Sequence, residues 1–244
     1  MKPDPRPTTT SPQLATPATQ RVPPPSERVR LRRKPDRGRY DLETIGSILD
    51  EALVGSVGWV LDGQPYVTPV TIWRQGRRLY WHASAGSRVV RATSHGEPVC
   101  VTAWILDGLV FARSGTNHAM NFRSVIVLGR AHAVTDEAEK SAALDNLIDH
   151  LAPGRAAGLR PATAEELRKT AVLWVDLDEA SAKIRTGGVN DEPGDEGWPI
   201  WAGMVPVSVL SGRPVADAHS SGPAPAGLGG PIARPRPRRS ATPR

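Results

Sequence analysis

Two hydrophobic periods alternate along the chain, and they predict a series of strands framed by helices. After Asp41, a candidate N-cap, apolar residues recur at helical spacing through Leu53, which predicts an amphipathic helix. From Val54 the spacing changes to that of strands. The segments with this second pattern are 54–61, 65–73, 77–82, 98–106, 109–114 and 121–134.

Glycine-containing turn signals lie between the predicted strands, at Asp62-Gly63, Gln75-Gly76 and Asp107-Gly108. Because hairpins follow one another, the pattern predicts an antiparallel meander that curls into a small barrel. Pro69 lies inside a predicted strand and lacks a ladder donor, so a bulge or an edge is expected there.

The second half of the chain adds two predicted helices, at 136–151 and after the capping-box pattern Thr163-Ala-Glu-Glu166. Strands are predicted at 171–177 and 205–210, with an acidic loop at 187–197 between them. The fold class is therefore mainly β with a few helices, arranged as an antiparallel barrel.

Composition divides the chain into a core and two tails. Residues 1–37 and 213–244 are rich in Pro and basic residues and have few large apolar side chains, so both are predicted to be disordered, which leaves one domain at 38–212. The net charge of +6 is carried by the ends, since residues 1–40 hold +7 and residues 213–244 hold +5. Residues 41–212 carry a net charge of −6, which argues against a basic nucleic-acid-binding face on the domain. The alternative is that the basic tails bind phosphates, as in a regulator that associates with nucleic acid.

Several function classes lack their sequence signatures. The chain has no P-loop, no dinucleotide fingerprint and no nucleophile elbow, and its histidines never pair at the spacing of a zinc site, so no metal centre is predicted. One cysteine, Cys100, allows no intramolecular disulfide, and no apolar stretch is long enough to span a membrane. We expect a cytoplasmic protein with no membrane partner.

The stretch Leu79–Arg91 carries the strongest candidate chemistry. A strand is predicted to break at 83–86 and lead into a helical turn, in which Ser84, Ser87, Arg88 and Arg91 have the spacing of one helix face. Two hydroxyl groups and two guanidinium groups near a helix N-terminus favour a phosphate. A solvated polar helix face is the plainer interpretation of this pattern alone.

Four blocks together resemble the pyridoxamine 5'-phosphate oxidase-like flavin-binding family, in the branch that includes nitroimidazole-resistance proteins. They are Q-P-Y-V-T-P-V at 64–70, L-Y-W-H-A-S-A-G-S-R at 79–88, N-F-R-S-V-I-V-L-G-R-A at 121–131 and W-A-G-M-V-P at 201–206. The resemblance covers about residues 30–211 and implies a six-stranded split β-barrel that forms a homodimer with FMN at the subunit interface.

The resemblance also implies the flavin contacts. Backbone atoms of Pro69, Val70 and Thr71 are expected to line the isoalloxazine ring, and Trp201 is expected to pack near it, from the same or the other subunit. The side chains expected around the ribityl chain and phosphate are His82, Ser84, Ser87 and Arg88, with Asn121 and Ser124 contributed by the long strand.

The expected function is that of an oxidoreductase that passes electrons from a reduced nicotinamide to a small acceptor. The chain lacks the longer basic phosphate-binding set of the oxidase proper, and Ser87 stands where that set has a basic residue, so pyridoxamine phosphate is not the expected substrate. No catalytic acid or base is recognisable. Flavin storage without turnover and the same barrel with a deazaflavin or haem are alternatives.

Overall fold

The computed structural model describes residues 22–225, and the outer parts of the predicted tails, 1–21 and 226–244, lie outside the described residues. The helices of the described part are α1 (Leu42–Glu51), α2 (Arg88–Thr93), α3 (Glu137–Leu151) and α4 (Ala164–Lys169). Its strands are β1 (Gly38–Arg39), β2 (Val54–Leu61), β3 (Gln64–Gln75), β4 (Arg78–Ser84), β5 (His95–Phe111), β6 (Ala119–Ala133), β7 (Thr170–Asp176), β8 (Glu179–Arg185) and β9 (Gly203–Pro206).

Six of these strands close into an antiparallel ring in the order β2, β3, β4, β7, β6, β5 and back to β2. Strands β8 and β1 extend the sheet outside the ring from β6, and β9 extends it from β5. At the junction of β6 with β7, a side chain on Gly129 would collide with Val175, so glycine permits this close approach. The predicted mainly β split barrel is confirmed.

The barrel interior holds the principal apolar core. Side chains that are almost fully buried there include Val57, Ile72, Trp81, Val101 and Val125. Helix α2 closes one end of the barrel, since its Val89 and Val90 belong to the same core. Helix α3 covers the outer face of β3, β4 and β7 and forms a second core.

The helices begin where the sequence places their caps. The Asp41 carboxylate accepts a hydrogen bond from Thr44 N at 2.7 Å, and the Asp136 carboxylate accepts one from Glu139 N at 2.8 Å. Thr163 and Glu166 form the predicted capping box of α4. Each cap satisfies donors that the first helical turn leaves free.

One prediction about the strands is wrong, and one strand was not predicted. Segments 98–106 and 109–114 are not a hairpin, because β5 continues through Asp107-Gly108 with a register shift against β6 and then pairs with β9. Strand β8 was not predicted, because Glu179–Ile184 is rich in small and charged residues; its long pairing with β6 outweighs this weak β propensity.

The described part of the N-terminal segment runs along the domain. Val29 is buried, Leu31 N donates to the Tyr40 hydroxyl at 2.9 Å, and Arg28 pairs with Glu179 at 3.0 Å. Within residues 22–225, no helix is long and apolar enough to cross a membrane.

Candidate functional site

Strands β3 and β4 separate halfway along their length. They pair from Gln75–Arg78 to Ile72–Trp81, and beyond this point β3 continues only with β2 while β4 continues only with β7, to Ser84 opposite Thr170. We call the resulting gap the fork. One side is residues 69–71 of β3, and the other is residues 82–88, from the end of β4 to the first residue of α2. Seven of the ten predicted flavin contacts lie around the fork.

The β3 side of the fork offers backbone atoms. Pro69 pairs with Ser56 of β2 without a register shift, so the proline marks a free edge rather than a bulge. The Val70 side chain is buried in the barrel interior, whereas Pro69 and Thr71 alternate with it and face outward. This side therefore presents peptide groups that no neighbouring strand occupies.

The β4 side of the fork carries a histidine with an unsatisfied nitrogen. The His82 ring is half-buried, its centre lies 6.2 Å from that of Trp73, and its Nδ1 has no hydrogen-bond partner within residues 22–225. Burial lowers the pKa of His82 below its ordinary value, because the charged form is poorly solvated there. The imidazole is therefore neutral at pH 7 and has a ring nitrogen available to a ligand.

The turn after β4 differs from the predicted helix face. Ser84 is the last residue of the strand, and α2 begins only at Arg88, so Ser84, Ser87, Arg88 and Arg91 do not share one face of a helix. The turn is instead fixed by its backbone: Ser87 N donates to Ser84 O, and Ala85 N donates to Lys169 O, both at 2.9 Å.

Two side chains of this turn are available to an anion. Ser87 is the N-cap residue of α2, but its hydroxyl makes no capping bond, and its Oγ is buried without a partner among the described residues. The Arg88 guanidinium lies 5.5 Å from the ring centre of Tyr66, which stacks on Trp59 at 4.6 Å. The structure gives Arg88 no carboxylate partner in the described part of the chain, so its charge is free to pair with a phosphate.

Asn121 and Ser124 lie on β6, opposite β3 in the ring. Asn121 is buried, donates from Nδ2 to Gly187 O at 2.9 Å, and accepts from Arg185 at 2.5 Å. The Ser124 hydroxyl donates to Lys183 O at 3.3 Å. Within one chain, these side chains tie β6 to β8 and the following loop, and they do not line the fork.

Trp201 also lies apart from the fork. It is 64 % exposed and precedes β9. Its ring centre is 5.9 Å from that of Phe111, which in turn contacts His118 edge-on at 5.8 Å.

Tyr66 and His118 were not predicted from the sequence as candidate site residues. Tyr66 lies inside the first family-like block, and its position opposite Trp59 across a predicted hairpin could have indicated it. Within residues 22–225, no three His, Cys, Asp or Glu side chains cluster as metal ligands.

Comparison with known proteins adds the following matches. The family model described as pyridoxamine 5'-phosphate oxidase matches residues 41–184. The flavocytochrome Anf3 from Azotobacter vinelandii is 42 % identical with a TM-score of 0.78, over 83 % of this chain and 95 % of that one. The FAD and haem binding protein from Mycobacterium smegmatis is 32 % identical with a TM-score of 0.76, over 82 % and 100 % of the two chains.

A more distant structure shares the fold alone. A protein from Bacteroides thetaiotaomicron, named as a 5-nitroimidazole antibiotic resistance protein, is 24 % identical with a TM-score of 0.52 over 60 % of this chain and 86 % of that one. None of the curated protein sequences matches this chain.

Proposed function

The chain belongs to the pyridoxamine 5'-phosphate oxidase family of flavin-binding split barrels, and on this premise we propose that it is a flavin-dependent oxidoreductase whose flavin lies in the fork. The observation that carries the proposal is that two of the buried polar atoms without partners in the described part of the chain, His82 Nδ1 and Ser87 Oγ, belong to the fork. An unsatisfied buried polar atom costs about 1–3 kcal/mol, so these atoms favour a polar ligand that completes their hydrogen bonds.

The residues of the fork fit the parts of a flavin. The free backbone groups at residues 69–71 suit the edge of the isoalloxazine ring, whose nitrogens and carbonyls need hydrogen bonds. Ser84, Ser87 and Arg88 suit the ribityl chain and its terminal phosphate, with Arg88 supplying the charge. His82, being neutral, can exchange a hydrogen bond with a ribityl hydroxyl or a ring carbonyl without adding charge next to the flavin.

A bound flavin would accept a hydride from a reduced nicotinamide and pass two electrons on to an acceptor. The part of the protein in this chemistry is to bind, orient and shield the ring, because residues 69–71 and 82–88 of the fork include no carboxylate. Small-molecule acceptors fit this role, and a cytoplasmic location, with its supply of reduced nicotinamide, stays our prediction.

We further propose a homodimer in which two copies share each flavin. Thr71 and Ser124 face outward from opposite strands of the ring, so they can contact one ligand only if they come from different copies. The outward face also bears large apolar side chains, with Trp104 64 % exposed and Val67 71 % exposed. Such a surface favours burial between subunits. In that arrangement Asn121 and Ser124 come to the flavin from the second copy.

FMN and FAD need the same contacts from the fork, since both carry an isoalloxazine ring and a phosphate at the end of the ribityl chain. They differ only in the adenylyl group that lies beyond this phosphate. The resemblance in sequence implies FMN, whereas the Mycobacterium smegmatis relative, named for FAD, supports FAD. Identification of the released flavin decides between them.

A second candidate function is that of a flavocytochrome, which holds a haem in addition to the flavin. Two relatives support it, one named as a flavocytochrome and the other as an FAD and haem binding protein. In this chain, the observation that favours it is an exposed aromatic surface around Phe111 and Trp201 that carries an imidazole, that of His118.

The first experiment is an absorption spectrum of the purified protein, followed by denaturation and identification of the released flavin. We expect flavin bands and about one FMN or FAD per subunit. Arg88→Ala should weaken flavin affinity roughly 10-fold or more, since a hydrogen bond to a charged group contributes about 1.5–3 kcal/mol. Arg155→Ala, which removes an exposed arginine elsewhere, is the matched control and should leave flavin affinity unchanged.

Equal flavin affinity in wild type and Arg88→Ala would refute the phosphate assignment. Oxidation of reduced nicotinamide by the holoprotein no faster than by free flavin would refute the oxidoreductase assignment and favour flavin storage.

A further inference from the structure

The ends of β5, β6 and β9 form a small apolar sheet. Val110 pairs with Ala119 of β6 and with Met204 of β9, and Leu109 pairs with Met120 and Val205. Side chains on alternate positions share one face of such a sheet. We call this surface the aromatic face, and its residues are Leu109, Phe111, His118, Met120, Trp201 and Val205.

The aromatic face is partly exposed. Phe111 is 37 % exposed and Met120 is 53 % exposed, although both are large apolar side chains. Gly203, opposite Phe111, adds no side chain to the middle of the face, and the Trp201 indole occupies that space, 2.7 Å from where a Cβ of Gly203 would be. A planar apolar ligand can therefore lie against Phe111 and Trp201 without displacing a bulky neighbour.

His118 is the only imidazole of the aromatic face, and a backbone contact fixes its orientation. Its Nδ1 lies 2.9 Å from Ser114 O, and since a carbonyl oxygen only accepts, Nδ1 carries the proton of the neutral ring. The lone pair is then on Nε2, to which the structure gives no hydrogen-bond partner in the described part of the chain. Histidine ligands of metals are commonly held in this way, with the second ring nitrogen donating to a carbonyl or carboxylate.

We propose that His118 Nε2 is an axial ligand of a haem iron and that the aromatic face supports one side of the porphyrin. The inference rests on the flavocytochrome candidate above and assigns its haem to residues of this chain. A porphyrin supplies four nitrogen ligands and needs only an axial donor from the protein, so a single imidazole on an apolar surface is sufficient.

Three other described histidines, His82, His95 and His132, are less suited to this role. His82 lies in the fork, where Nδ1 is buried. His132 is stacked on the ring of Trp174 at 4.6 Å, and the Nδ1 of His95 lies 3.1 Å from the hydroxyl of its neighbour Ser94. None of them combines a carbonyl-held ring with an open apolar surface.

The test uses the full-length protein with its flavin bound. Wild type, His118→Ala and the matched control His95→Ala are titrated with hemin, and the Soret band, the haem content of the gel-filtered protein and the flavin content are measured. We expect His118→Ala to bind hemin at least 10-fold more weakly, with a shifted Soret band. His95→Ala should behave as wild type, and flavin content should be the same in all three proteins.

Imidazole added to His118→Gly provides a second readout. Free imidazole should restore the wild-type Soret position, because it occupies the place of the missing side chain, and a merely structural role of His118 predicts no such rescue.

Two results would overturn the inference. If His118→Ala keeps the hemin affinity and Soret band of the wild type, the haem is held elsewhere and only the flavocytochrome candidate survives. If the wild type binds no hemin, and His118→Ala instead weakens self-association, the aromatic face is a subunit contact and that candidate fails too. The flavin content, measured separately, tests the oxidoreductase proposal in either case.

Discussion

The two halves of the β3–β4 hairpin are built from neighbouring residues but differ in their strand pairing. In the half near the turn, the strands are paired, and Trp73 stacks on Tyr80 at 5.7 Å beneath α3. In the other half, β4 keeps β7 as a neighbour and loses β3, so the fork exposes backbone edges and leaves His82 Nδ1 and Ser87 Oγ unsatisfied. The closed half is covered by α3, while the open half leaves an unpaired strand edge, as expected of a binding site.

The largest expected effect lies in the closed half. Leu147 of α3 is buried in the second core, so Leu147→Ala should lower the free energy of unfolding by about 2–5 kcal/mol while leaving the flavin dissociation constant nearly unchanged. Urea denaturation of the apoprotein and a flavin titration measure the two quantities. Leu159→Ala, at an exposed leucine, is the control and should change stability by no more than about 0.5 kcal/mol. A large loss of flavin affinity in Leu147→Ala would mean that the halves are not independent.

An effect of opposite sign is expected in the open half. Because Ser87 Oγ is buried without a partner in the described chain, Ser87→Ala should raise the stability of the apoprotein by about 1 kcal/mol. The same variant should bind flavin roughly 10-fold more weakly, since it loses a bond to the ribityl phosphate region. Ser47→Ala, at an exposed serine of α1, should show neither change. A destabilised Ser87→Ala apoprotein would contradict the contrast between the halves.

The smallest expected effect is a dependence on pH. Since burial lowers the pKa of His82 in the folded protein below the 6.5 of the unfolded chain, protonation favours unfolding. The contribution of His82 to stability is therefore complete above pH 6.5 and is lost as the pH falls through its folded pKa. Unfolding of the apoprotein at pH 8 and pH 5 should show a smaller loss of stability for His82→Gln than for wild type. Equal slopes in wild type and His82→Gln would exclude a role for His82.

Sequence patterns were most informative where a local signal agrees with the packing. The caps at Asp41 and Asp136 and the capping box at Thr163 mark real helix starts, and the ring of strands follows from their alternation. The Asp107-Gly108 signal led to a wrong hairpin prediction, because the same residues can form a bulge within one continuous strand. The Asp107 carboxylate accepts from Arg123, at 2.7 Å from Nη2, and the strand continues to pair with β9.

For the candidate site, residue types were predictable and their placement was not. The hydroxyl and guanidinium groups of Ser87 and Arg88 indicated an anion site, but Ser84 belongs to a strand because β4 pairs with β7, which begins 86 residues later in the chain. The positions of Asn121 and Ser124 depend on which strands lie opposite each other in the ring, a property of the closed barrel that local periodicity does not contain.

The pairing of β4 with β7 also bears on the order of events during synthesis. The β3–β4 ladder itself is a local contact that can form early, whereas the other edge of β4, in both halves, needs a strand from the last third of the chain. A ribosome releases β7 after every other strand of the ring, so the ring that contains the fork can close only once β7 is available. A flavin bound in the fork, as proposed, would therefore be loaded after β4 and β7 have paired.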